Sequence, residues 1–460
     1  MSEAPTRPQK GDIVEVDVSD LAFGGQGVAR SDGFVVFCHD TVPGDRARVR
    51  LRRVRRRFGE GDLEEIVTPG PDRVTPPCPY VPRCGGCRLQ HVDYAATLVA
   101  KRRQVKEHLA RIGRIEGVPV LEMDPALEQL GYRNKMEYSV APGPDGELVL
   151  GFHRRGRWDE VVDVRRCLIA TPLGDAVRET VRAWAAGAGL APYDQREQRG
   201  TLRHVVVREG VNTGQVLVTI VTAPDADDAV DGLAGELFGA HPQVVGLMHA
   251  VNDGVAETTQ SLPTRLVRGR DWFEESVMGV RLRLSAGAFF QTNTRMTERL
   301  YERVAEAAGL TGGEVLYDLF SGVGTIGIAL AGRAGQVVAV EIMEQAVRDS
   351  RENARRNGLE ARHRAISGDV GRVLKEHASD LPPADVAVVD PPRAGLSGRA
   401  VRRVLELAPA VLVYVSCHPA TFADNARRLL DGGYRLEWVR PVDMFPQTPH
   451  IEAVARFTRS

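Results

Sequence analysis

The last third of the chain alternates short apolar runs with amphipathic helical stretches, and this alternation limits the possible folds more than any other feature. The apolar runs are EVLYDLF, QVVAVEI, DVAVVDPP and VLVYVSC. The helical stretches include MEQAVRDSRENARRNG, RAVRRVLELAP and FADNARRLLDGG. Parallel strands need a crossover long enough to hold a helix, so such alternation reads as βαβ units around a mainly parallel sheet. The expected fold class for residues 286–460 is α/β and Rossmann-like.

The remainder divides by pattern. From Gly11 to Val67, GDIVEVDVSDLA, GFVVFCHD, ARVRLRRV and GDLEEIV read as short strands, with AFGGQGVAR and TVPGD as turns. Several short strands in so small a span suggest an OB-like β-barrel over residues 1–68. The proline-rich VTPGPDRVTPPCP marks a boundary. A helix is expected from Tyr94 to Ile112, and residues 69–285 read as an α+β central domain carrying a cysteine cluster. Cys38, within GFVVFCHD, reads as barrel core.

The chain is 43% hydrophobic, which allows a large buried core, and its formal net charge of -1 does not announce a polyanion binder. Charge is uneven locally, however: Arg46–Arg57 reads RARVRLRRVRRR and Lys101–Lys106 reads KRRQVK. Arg46–Arg57, Lys101–Arg103 and GFHRRGRW at 151–158 are the candidate phosphate contacts; for the arginine run a solvated strand face is the bland alternative. The start is polar and no apolar run reaches the ~20 residues of a membrane span, so a cytoplasmic protein is expected. Its cysteines should then be reduced, and clustered ones metal-binding or catalytic.

DLFSGVGTIG, Asp318 to Gly327, follows a strand and opens a helix. Its glycines let the backbone pass close to a ligand, and Glu341, ending the next strand, can accept ribose hydroxyls. A dinucleotide site is the rival, but Asp318 suits a cationic cofactor better than phosphates. DPPR, Asp390 to Arg393, makes a stiff extended loop at the carboxyl edge of the sheet, and Asp369 ends an intervening strand. Cys417 follows another apolar strand at that edge. It is either a nucleophile or a small buried hydrophobe. Glu452, in FPQTPHIEAVARF, is the candidate base and His450 its rival.

DLFSGVGTIG, DPPR, SCHPAT and PHIEAV, in this order, together with GAFFQTN at 287–293, resemble the RNA (uracil-5-)-methyltransferase family. The resemblance implies a class I methyltransferase domain using S-adenosylmethionine, with Cys417 as nucleophile and Glu452 as proton acceptor. It implies that Gln291, Phe320, Glu341 and Asp390 contact the cofactor, with Asp369 a secondary contact. The family often has Asn where this chain has Thr325, so that contact is carried over with a changed side chain. The barrel resembles a TRAM domain, an RNA-binding module, which favours ribosomal (23S) over transfer RNA as the target.

Cys78, Cys84 and Cys87 form a C-x5-C-x2-C pattern, and Cys167 is the next cysteine along the chain. Four thiolates can hold zinc or an iron–sulfur cluster, and spacing alone does not separate the two. The resemblance to the ribosomal branch implies a 4Fe–4S cluster, with zinc as the alternative. Three other functions are weighed. An RNA cytosine-5 methyltransferase would carry a cysteine beside the strand-end prolines, and DPPR has none. A radical enzyme with a TRAM domain needs C-x3-C-x2-C. A non-catalytic RNA-binding or assembly protein retaining the fold would not need both Cys417 and Glu452.

Overall fold

A computed structural model describes residues 8–31 and 33–459. Residues 1–7, Asp32 and Ser460, and with them part of the polar N-terminal stretch, lie outside the described residues.

Period-two alternation closes the first segment into a barrel. Its strands are β1 (Ile13–Leu21), β2 (Gly27–Ser31), β3 (Phe34–Cys38), β4 (Arg46–Val54) and β5 (Phe58–Thr68), joined in the order β1-β2-β3-β5-β4. Inward residues such as Val18, Val36, Cys38, Val49 and Leu51 make a separate small core. The outward arginines of β4 meet barrel carboxylates. Arg46 and Arg48 face Glu15, Arg50 faces Glu64, Arg52 faces Asp62 and Arg53 faces Glu60. Most of this run is thus an ion-paired face.

Helix α1 (Tyr94–Arg111) starts at Asp93, whose carboxylate accepts from the Ala95 and Ala96 N–H groups. The central sheet comprises β6 (Lys135–Pro142), β7 (Leu148–His153), β8 (Val161–Asp163), β9 (Leu202–Gly210), β10 (Gln215–Thr222), β11 (Val244–Val251) and β12 (Thr264–Gly269). Helices α2 (Pro172–Gly187) and α3 (Asp227–Ala240) share its core through Val177, Val181, Leu233 and Leu237. A hairpin follows, β13 (Trp272–Val277) and β14 (Val280–Ser285).

The last domain runs α4 (Thr294–Ala308), β15 (Val315–Leu319), α5 (Thr325–Leu330), β16 (Gln336–Glu341), α6 (Glu344–Arg356), β17 (His363–Ser367) and α7 (Val370–Glu376). It continues with β18 (Val386–Val389), α8 (Gly398–Leu407), β19 (Val411–Ser416), α9 (Pro419–Asp431), β20 (Tyr434–Val442) and β21 (Glu452–Arg459). The sheet order is β17-β16-β15-β18-β19-β21-β20. Strands β17 to β19 are parallel, and β21 lies antiparallel between β19 and β20. The strand order reverses between β15 and β18, which opens a crevice at their carboxyl ends.

Packing does not follow the expected boundary at 285–286. Phe273, Val277, Leu282 and Leu284 of the hairpin lie in one core with Leu300 and Val304 of α4 and Val388 of β18. Val105 and Leu109 of α1 pack with Tyr317, Val338 and Leu412. Helix α1 buries these residues on the larger sheet, whereas the hairpin packs on both sheets, with Leu217 and Met248 of the central sheet in the same core, so it bridges the two domains.

Candidate active site

The crevice is shaped by a strained turn. After β15, Phe320 takes a left-handed φ of 66°. A non-glycine residue there costs about 1–2 kcal/mol. The turn is held because the Phe320 and Ser321 N–H groups both donate to the Val340 carbonyl, at 3.0 and 3.1 Å. Glycine is obligatory just beyond. A Cβ on Gly324, where φ is 80°, would lie 2.4 Å from Ser350 Oγ, and one on Gly327 would lie 2.9 Å from Asp318 Oδ2. The Gly327 N–H instead donates to that oxygen at 2.8 Å.

A cavity of about 630 Å³ fills the crevice. Gln291, Phe320, Thr325, Glu341, Asp390, Cys417 and Glu452 all line it, as does the rival His450. Asp369 departs from expectation. It does not line the cavity but caps α7, accepting from the Arg372 N–H at 3.0 Å. Its strand β17 sits at the sheet edge, away from the point where strand order reverses. Tyr301 lines the cavity unforeseen, its hydroxyl 2.6 Å from Thr325 Oγ1. A buried tyrosine on an amphipathic helix gives no sequence signal that separates it from core.

The cavity is acidic, with carboxyls from Asp318, Glu341, Asp390 and Glu452. Burial pushes Asp318 up to about 7, with Glu341 adding to the rise and the Gly327 N–H opposing it. Burial and then Asp318 push Asp390 up to about 7. Asp318 Oδ1, Ser321 Oγ and Glu452 Oε2 are buried without a hydrogen-bond partner among the described residues. Buried polar atoms are normally paired, so these await a ligand. A pyrophosphate would add charge of the same sign, whereas a cation relieves the repulsion. The dinucleotide alternative therefore fits poorly.

Cys417 and Glu452 lie 35 positions apart in sequence (452 less 417) yet adjoin in the sheet. Ser416 of β19 is the register partner of Ala453 of β21, which sets Cys417 and Glu452 across from each other one step further along. Burial, then Glu452 and Asp390, push the Cys417 thiol up to about 12, with Arg393 opposing. Burial and then Asp390 also lift Glu452 well above the usual carboxylate range. His450 goes the other way. Burial and then Arg393, Lys101, Arg133 and Arg88 lower it to about 4. Glu452 is thus the stronger proton acceptor of the two.

Cys78, Cys84, Cys87 and Cys167 line a second cavity of about 340 Å³. Among the described residues, no three His, Cys, Asp or Glu side chains converge closely enough to hold a metal ion. The thiols are gathered into one space without closing on one point. The chain just past Cys87 meets the segment between the cavity residues Phe445 and His450, since the Arg88 and Leu89 N–H groups both donate to the Gln447 carbonyl, at 3.0 and 3.1 Å.

The candidate phosphate contacts prove mostly occupied. Lys101 is buried against Asp443 at 2.6 Å, and Arg102 and Arg103 pair with Glu122 and Asp20. Arg154, Arg155 and Arg157 pair with Glu160, Asp40 and Asp159. Arg83 and Arg88 differ. They line a groove of about 690 Å³ with Arg52 and Arg154, and form no ion pair among the described residues.

A family model described as tRNA (uracil-5-)-methyltransferase matches residues 258–459, and a TRAM-domain model matches residues 7–63. An uncharacterized RNA methyltransferase of Halalkalibacterium halodurans is 37% identical over 455 residues, covering 99% of each chain. One of Nitratidesulfovibrio vulgaris is 38% identical over 449 residues, covering 96% of this chain and 95% of its own. The crystal structure of Pyrococcus abyssi tRNA (uracil-54, C5)-methyltransferase with S-adenosyl-L-homocysteine superposes with a TM-score of 0.75 at 30% identity. That match covers 96% of this chain and 99% of the other. The switch-point crevice, glycine turn and acidic cavity fit an S-adenosylmethionine-dependent methyltransferase, and the family and TRAM matches make its substrate RNA. The chain belongs to the RNA (uracil-5-)-methyltransferase family and carries an N-terminal TRAM domain.

Proposed function

We propose that the protein methylates C5 of a ribosomal RNA uridine through a covalent Cys417–C6 adduct. The observation that carries this reading is the register of β19 and β21, which brings Cys417 and Glu452 together on the acidic cavity. Gln291, Phe320, Thr325, Glu341 and Asp390, with Asp318, would hold the cofactor. Bound S-adenosylmethionine supplies an electrophilic methyl group. Uracil C5 is too poor a nucleophile to accept it unaided. The Cys417 thiolate adds to C6 and leaves negative character on C5. Once C5 carries the methyl group, Glu452 removes the C5 proton, the C6–S bond breaks, and the thiolate is released. Burial, then the Glu452 and Asp390 charges, keep the Cys417 thiol protonated, and a bound cation would offset those charges. The target uridine must leave its stack to meet Cys417, which favours an unpaired loop.

The four thiols support the ribosomal target, since the resemblance that predicts them is to that branch. We assign them an iron–sulfur cluster rather than zinc. What supports the cluster over zinc is the resemblance to the ribosomal branch, and the four thiols line one cavity. The role of the cluster would be structural, tying the 78–87 loop to Cys167. A second reading, the same reaction on transfer RNA, is favoured by the Pyrococcus abyssi neighbour. Its match spans 96% of this chain and so includes the barrel, which removes the barrel as an argument for ribosomal RNA. Mass-spectrometric mapping of 5-methyluridine in cells with and without the gene tests both. Loss of one ribosomal 5-methyluridine is expected; loss confined to transfer RNA selects the second reading, and no loss in either rejects both.

A further inference from the structure

The barrel touches the catalytic segments directly. Its turn between β1 and β2 carries Phe23, whose ring meets the His418 ring edge-on, with centroids 5.3 Å apart and planes at 87°. The same ring meets His108 of α1 at 5.5 Å. Phe23 packs against the core of the C-terminal domain rather than that of the barrel. His418 directly follows Cys417 and is the N-cap of α9, with its ring accepting from the Thr421 N–H at 3.4 Å. Its own N–H donates to Ser416 Oγ at 3.2 Å. The corner bearing Cys417 is therefore bound to Ser416 on one side and to α9 on the other, and Phe23 closes the outside.

Gly25 extends the contact. Its φ is 84°, and a Cβ there would lie 3.5 Å from Arg88 Cβ and 3.6 Å from Pro449 Cβ. The same turn thus abuts the segment leading to His450 and Glu452. It is anchored on α1, where Gln104 Nε2 donates to the Leu21 carbonyl at 2.8 Å and Arg103 pairs with Asp20. Among the described residues, none of the barrel lines the cofactor cavity. The turn acts on the two catalytic segments from behind and leaves the cofactor walls alone.

We infer that Phe23 is a positioning residue for the nucleophile, so that the TRAM domain takes part in the chemistry and not only in gripping RNA. This rests on Cys417 being the nucleophile. Edge-to-face aromatic pairs are directional, and losing one changes a rate by roughly tenfold when it fixes a reacting group. A leucine keeps apolar volume without a ring edge, whereas a tyrosine keeps the ring.

The test uses the full chain with Phe23→Leu, Phe23→Ala and Phe23→Tyr. Cys417 alkylation by iodoacetamide, resolved by peptide mapping, reads the corner without RNA or cofactor. The leucine variant is expected to lower kcat roughly tenfold, with KM for RNA within about twofold. Its Cys417 alkylation should speed up by about threefold as the corner loosens, with S-adenosylhomocysteine affinity unchanged. Tyrosine should restore both rates. A raised KM with unchanged kcat and unchanged alkylation would overturn the inference and leave the barrel as an RNA grip alone. Should alanine unfold the protein, the leucine and tyrosine variants still decide. Failure of the nucleophile assignment itself is seen separately, as turnover persisting in Cys417→Ala.

Discussion

Cys417 and Glu452 face each other because Ser416 and Ala453 are register partners in an antiparallel pair at the edge of an otherwise parallel run of strands. The electrostatics agree, since burial and then Glu452 hold the Cys417 thiol up at about 12. Cys417→Ala is expected to abolish methyl transfer and leave S-adenosylhomocysteine affinity within about twofold, because a nucleophile acts in the reaction and not in cofactor binding. Calorimetry and single-turnover assays check it; normal turnover would remove the covalent mechanism.

Glu452→Gln should stall the reaction late. The C6 adduct forms and C5 accepts the methyl group, but its proton is not removed. A slow-migrating RNA–protein band on a denaturing gel is the expected product. If a variant that binds RNA normally gives no such band, Glu452 is not the base.

Asp318 and Asp390 predict a pH dependence of stability. Each is raised to about 7 in the fold from an ordinary 3.8. Between those values the folded protein keeps protons that the unfolded chain has released. The contribution of these groups to stability therefore falls as pH rises through that window. Asp390→Asn removes one such group, and the Tm of ligand-free protein should decline less between about pH 4 and 7. An identical slope in variant and parent would contradict the assignment. The same variant should bind S-adenosylmethionine more weakly.

Arg83 and Arg88 should carry phosphate affinity, as groove-lining cations that form no ion pair among the described residues. The double variant Arg83→Glu, Arg88→Glu is expected to weaken RNA binding at low salt by at least roughly tenfold and to flatten the salt dependence by about two phosphate contacts. Arg46→Ala, on the ion-paired barrel face, should change little by comparison. Fluorescence anisotropy over a salt series separates them, and equal effects would count against the groove.

Protein purified without oxygen should contain iron and sulfide in near-stoichiometric amounts. Loss of any one of Cys78, Cys84, Cys87 or Cys167 should reduce both. Stoichiometric zinc without iron would replace the cluster by the alternative.

Much of this was legible in the chain. Strand–helix alternation is a local signal, written in the period of apolar residues, and the sheet of the last domain follows from it. The glycines of DLFSGVGTIG are likewise local, because Gly324 and Gly327 have no room for a Cβ within their own turn and its neighbours. The barrel was readable for the same reason. What the chain did not disclose is how distant elements share surface. Helix α1 lies before the expected boundary but buries apolar residues on the last domain, and the hairpin packs on both the central and the last sheet, since burial rewards area and not sequence order. Basic runs looked free until the fold brought Glu15, Glu64, Asp62 and Asp443 to them. Residue identity alone named Cys417 and Glu452 as reactive candidates. Only the insertion of β21 beside β19 set them across one cavity, and only the docked turn of the barrel placed Phe23 behind them, because both depend on packing between segments that no local pattern records.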